Sequence, residues 1–117
     1  MRKNICIEGA QFPGMKTLAM KGSLYLHDDD EKIPITVGFD HQKLVGYAKG
    51  LKRDIETGEV SMDLTIHPSF DLDLEEFDAR VTLTDVMGAP GKDDPELTII
   101  NAGRLREISL IWEGKKD

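Results

Sequence analysis

The sequence predicts an all-β protein: a single small antiparallel β-barrel or sandwich of about eight strands, with at most one short helical turn. Three observations carry this. Apolar and polar residues alternate with period two in several segments, glycines and prolines fall between those segments, and almost no segment shows a helical period. The 117 residues match the usual size of one domain, and 39% hydrophobic residues supply one core, so residues 1–117 read as a single β-domain.

The clearest strand is 60–66, where Val60, Met62, Leu64 and Ile66 alternate with Ser61, Asp63 and Thr65. In 79–84, Ala79, Val81 and Leu83 alternate with Arg80, Thr82 and Thr84. In 18–26, Leu18, Met20, Leu24 and Leu26 share one face, with Gly22 between them, and Ala19, Lys21, Ser23 and Tyr25 share the other. Such patterns suit half-buried strands with one wet face. The predicted strands are 3–8, 16–27, 33–38, 43–52, 59–67, 79–86, 96–101 and 104–113, and the short helical turn falls within 72–79. Thr57-Gly58 closes a hairpin loop, because Gly58 accepts the left-handed conformation such loops need. HDDDEK (27–32) and GAPGKDDPE (88–96) read as exposed loops.

The last strand breaks parity: Leu105 falls in step with Glu107 rather than with Ile108, Leu110 and Trp112. A β-bulge near Arg106 brings Leu105 onto the apolar face. The alternative is a strand buried on both faces, in which Glu107 needs a partner. The expected core is Val60, Met62, Leu64, Ile66, Val81, Leu83, Ile108, Leu110 and Trp112.

The formal net charge is −7, and it is uneven. Residues 54–96 hold thirteen acids against Arg80 and Lys92, a net −11, and the rest of the chain is +4. That surface repels phosphate backbones, so direct nucleic-acid binding is not expected. It suits solubility or a basic partner surface. The single cysteine, Cys6 in the run ICI, excludes an internal disulfide and reads as a small buried hydrophobe. No apolar run reaches secretory or membrane-spanning length, so the expected setting is a reducing cytoplasm with no membrane contact.

Catalytic and metal signatures are sparse. Asp71, Asp73 and Glu75 would line one face of a strand, but DLDLEE lacks the glycine and spacing of a calcium loop. His27, His41 and His67 share no metal-ligand spacing, so neither a metal nor a cofactor is expected. None of Ser23, Ser61, Ser69 and Ser109 sits in a nucleophile elbow. Ser109 in REISLIW approaches His41 in FDHQKLVG only if their strands are neighbours.

Two segments taken in order, IPITVGFDHQKLVGYAKGLKRDIETGEVSMDLTI (33–66) and INAGRLREISLIW (100–112), resemble the prohead (capsid maturation) protease family of tailed bacteriophages. In that family a strand ends in a catalytic His, a short Gly-containing strand and a long hairpin follow, and a late strand reads E-[VI]-S-L-[VI]. The resemblance covers about half the chain and aligns His41 with the catalytic His and Glu107 with the late-strand acid. The family's nucleophilic Ser-x-Gly motif has no counterpart, since residues 67–99 contain only Ser69. The resemblance therefore implies a short, non-catalytic relative. Such a relative would be a capsid accessory, decoration or cement module that docks in many copies on shell subunits, in the host cytoplasm and then in the virion. Two other readings stay open. One is a serine prohead protease using His41 with Ser109 or Ser69 and Glu107. The other is an acidic nucleic-acid mimic that inhibits a host enzyme.

Overall fold

The computed structural model describes residues 1–113. It is an all-β chain whose eight strands form one strongly curled sheet, a half-barrel. The strands are β1 (Arg2–Ile7), β2 (Thr17–Ala19), β3 (Leu24–Tyr25), β4 (Ile33–Val37), β5 (Asp40–Arg53), β6 (Glu59–Ile66), β7 (Phe77–Pro90) and β8 (Thr98–Trp112). A single 3₁₀ turn spans Leu74–Glu76, and the Asp73 side chain caps it by accepting from the Glu75 N–H.

β8 organises the sheet. One of its edges pairs with β7 along nearly its whole length, from Phe77↔Trp112 to Pro90↔Thr98. Its other edge is shared in succession by β2, β3 and β4, all running parallel to it. From β4 the sheet continues through antiparallel β5 and β6 to β1. The sheet is thus mixed rather than wholly antiparallel. β1 and β7 are its two ends, facing each other across the open side of the half-barrel.

The expected strand count of eight holds although two boundaries move. The segment 16–27 is not one strand, because a turn at Met20–Ser23, with Gly22 at φ 81°, splits it into β2 and β3. The turn resets the parity, so Ala19 and Leu24 are buried while Met20 is half exposed. Conversely, 96–101 and 104–113 fuse into β8, because β7 extends to Pro90 and pairs with the whole length. Residues 88–90 are accordingly strand rather than loop, and Glu31 of the supposed wet loop 27–32 is held at 2.9 Å by Arg104.

The bulge at Arg106 is present: Thr82 pairs with Glu107 and Leu83 with Leu105, leaving Arg106 unmatched. Leu105, Ile108 and Leu110 therefore share the core, each fully buried. Both readings of this strand hold together, since Glu107 and Ser109 on the opposite face are buried as well. Val60, Met62 and Leu64 lie in the same core, with Ile66, Val81 and Leu83 packed against it. Trp112 does not: it is 65% exposed, because β8 runs past the end of the core there.

Candidate functional site

The residues aligned with proteolysis converge around the tip of the β4–β5 hairpin. Val37 pairs with Asp40 across Gly38 and Phe39, whose φ angles are 62° and 58°. Two consecutive left-handed residues define a turn that suits glycine and costs a Phe about 1–3 kcal/mol. The surroundings hold it in place. The Gly38 N–H donates to the Leu110 carbonyl at 3.0 Å, and the Phe39 N–H donates to Ser109 Oγ at 2.7 Å.

Thr36 lies beside Ser109 in register, and its hydroxyl donates to Glu107 Oε2 at 2.9 Å. His41 Nε2 stands 3.7 Å from Glu107 Oε1; its side chain is 71% exposed, while that of Glu107 is 4% exposed. The fold thus brings His41 to Glu107, as an imidazole beside a buried carboxylate. Ser109 is on the same strand as Glu107, but its oxygen is engaged by a backbone amide, and no His41–Ser109 hydrogen bond forms among the described residues. β8 neighbours β4 rather than β5 at this point, which sets His41 one strand away.

Ser69 pairs elsewhere. Its Oγ lies 2.5 Å from His67 Nδ1, and its own N–H donates to the same nitrogen at 3.2 Å. With the hydroxyl donating, this is a local, exposed loop contact, and no carboxylate orients the ring among the described residues. Nucleophilic catalysis needs a hydroxyl, a base within hydrogen-bond reach, and a group that orients the base. Here the acid, Glu107 of β8, meets His41 of β5, and the other His holds a serine in the 67–70 loop.

Asp71, Asp73 and Glu75 do not line a strand face; they lead into the 3₁₀ turn, where Asp73 acts as the cap. No group of three or more potential metal-ligating side chains comes together among the described residues.

Sequence reading missed the most elaborate polar cluster. Glu8 is buried at 1% exposure, and its carboxylate accepts from the Gly22 and Leu24 amides, both at 3.0 Å. It also accepts from Arg53 Nε at 2.5 Å and Nη2 at 3.1 Å, and Arg53 donates further to the Leu24 carbonyl. Burial pushes the Glu8 carboxyl upward, but the Arg53 hydrogen bond, the two amides and the Arg53 charge together hold it below its ordinary value. This cluster ties the end of β1 to the β2–β3 turn and to the end of β5. The neighbouring Cys6 thiol is pushed up to about 12, chiefly by burial and then by the Glu8 charge, against a smaller opposing pull from Arg53. A thiol held that high is a poor nucleophile.

An apolar cleft of about 640 Å³ lies between the facing ends of the sheet, and a more open, polar one of about 680 Å³ lies by the β5–β6 turn. Ile5 and Cys6 of β1, Phe12 of the following loop, and Val81 and Leu83 of β7 line the apolar cleft, and Phe39 stands at its wall. Comparison with protein-family models, with curated proteins and with solved structures found no match for the chain.

Proposed function

We propose that this chain is a non-catalytic structural module that docks on protein subunits, of the kind that decorates or cements a bacteriophage capsid in many copies. The observation that carries the reading is the employment of the residues aligned with proteolysis. Ser109 accepts the amide of a strained Phe39, and Glu107 accepts the Thr36 hydroxyl. Both fasten the β4–β5 hairpin to β8, so their burial has a structural reason that needs no substrate. The sequence resemblance supplies the capsid context, and the missing Ser-x-Gly motif agrees with a non-catalytic role.

The serine protease is the second reading, favoured by the 3.7 Å approach of His41 to Glu107. The nucleic-acid mimic draws less support. A mimic needs carboxylates in rows, whereas Asp54, Asp73 and Asp94 of the acidic segment each cap a separate turn by accepting the N–H two residues on.

Co-sedimentation of the purified protein with assembled capsids of an encoding phage tests the proposal. Wild type and His41→Ala are expected to co-sediment equally. Cleavage of a capsid or scaffold protein that His41→Ala abolishes would overturn the structural reading and establish the protease.

A further inference from the structure

We propose that the apolar cleft between β1 and β7 binds a small neutral molecule, an alkyl chain or flat ring carrying at most one hydroxyl. This goes beyond the docking role and needs no partner protein.

The mouth decides what can enter. Among the described residues β1 pairs only with β6 and β7 only with β8, yet β1 and β7 approach within 8 Å at several Cα pairs. Paired strands lie about 4.8 Å apart, so a strand held by both edges would need them roughly 10 Å apart. An α-helix, about 10–12 Å across with its side chains, is wider still. A hydrocarbon chain or a ring entering edge-on is only about 3.5–4 Å thick. Behind the mouth the cleft holds about 640 Å³. That lies within the roughly 300–1,000 Å³ of small-molecule sites.

The lining sets the character of the ligand. Ile5 of β1, Phe12 of the following loop, Val81 and Leu83 of β7, and Ile100 of β8 converge on the space. The interior of a small β-barrel is an established place for one small ligand. Among the described residues, the only charged side chains lining it are Asp78 and Arg80, and they pair with each other. No cation is left there for a carboxylate or phosphate, and no anion for an ammonium group. An unpaired charge is costly to bury, so the ligand is neutral. Asn4 and Thr82 offer an amide and a hydroxyl, partners enough for a single ligand hydroxyl.

Phe39 is the third observation. Its φ of 58° is a left-handed conformation that a bulky residue rarely adopts. The ring recovers little by burial, since Phe39 is 49% exposed, and it stands in the cleft wall. Strain that a residue's own packing does not explain points to function. Here the ring gives a ligand a flat apolar face that glycine, the unstrained choice, lacks.

The probe is N-phenyl-naphthylamine, a neutral flat dye whose fluorescence rises out of water. It is titrated into the purified chain and then displaced by decanol or by decanoate. Saturable binding at about 1–100 µM is expected, with decanol displacing the dye about tenfold more effectively than decanoate. No saturable binding by about 100 µM overturns the site, and equal displacement by decanoate overturns its preference for a neutral ligand. Val81→Trp, checked for folding by circular dichroism, fills the cleft and is expected to lose dye binding. Phe39→Gly removes the ring and relieves the strain, and is expected to weaken binding about tenfold without lowering the urea midpoint. Unchanged binding by Val81→Trp overturns the cleft as the site. Unchanged binding by Phe39→Gly, or a lowered midpoint, overturns the part given to Phe39. Each of these results leaves capsid co-sedimentation to test the docking role separately.

Discussion

Replacing Arg53 by Met tests the reasoning about the buried Glu8 cluster, because it removes the cation while keeping much of the bulk. Glu8 then stays buried with only the Gly22 and Leu24 amides as donors. Removing one partner of a buried ion pair costs about 3–5 kcal/mol. Two circumstances lower that figure here. The Arg53 side chain is 28% exposed, so water screens part of the pair, and the two amides continue to hold the carboxylate. The expected loss at pH 7 is about 2–4 kcal/mol, a large part of the roughly 5–15 kcal/mol typical of a domain.

The pH dependence distinguishes this account from simple loss of packing. In the wild type the Glu8 carboxyl lies below the ordinary 4.5, so its contribution is fully present above that value and disappears as pH falls through the lowered one. In Arg53→Met, burial acts against the charge with only the Gly22 and Leu24 amides to oppose it, and the carboxyl rises from its wild-type value. The variant is then penalised at neutral pH and relieved as acid protonates Glu8. Urea denaturation at pH 7 and at about pH 4 measures both chains, with the midpoint reporting stability at constant slope. The stability gap should narrow toward acid. A gap constant within ~0.5 kcal/mol, or one below ~1 kcal/mol at pH 7, refutes the assignment.

Ser109→Ala removes the acceptor of the partly buried Phe39 amide, and losing that hydrogen bond costs about 0.5–1.5 kcal/mol, measurable by the same denaturation, while capsid co-sedimentation should be unchanged. Cys6, with its thiol raised to about 12, should resist alkylation by iodoacetamide at pH 8 in the folded protein and react promptly in urea; equal rates in the two states would contradict its placement.

What could be read in advance was what depends on neighbours in sequence. The faces of 60–66 and the Arg106 bulge follow from period-two parity, and both appear in the pairing register. The left-handed Gly58 also appears, at φ 79°, where a Cβ would meet the Glu8 carbonyl oxygen at 2.1 Å. What escaped notice depends on contacts between distant segments. Glu8 and Arg53 lie 45 positions apart and carry no shared motif, so their union emerges only when β1 and β5 are placed. The pairing of β7 with all of β8 likewise overrides the turn-like Asn101-Ala102-Gly103, because Gly103 packs against Leu83 and Leu24. One missed signal was available locally. Asp28, Asp40, Asp54, Asp73 and Asp94 each accept the N–H two residues on, a turn chemistry that short aspartates favour.

Those aspartates bear on how the acidity should be understood. Within the segment 54–96, Asp54, Asp73 and Asp94 are committed to turns, and Asp78 is balanced by Arg80. Part of the negative charge is therefore a consequence of building loops between strands and needs no partner. Asp71, Glu75 and Glu76 make no side-chain hydrogen bond or ion pair among the described residues, and they stand just before β7 begins. Their mutual repulsion is a small cost to the folded chain. Glu56, Glu59, Asp85, Asp93 and Glu96 likewise make no side-chain hydrogen bond or ion pair among the described residues, so the uncompensated charge is spread over several loops and strand ends rather than gathered into one face.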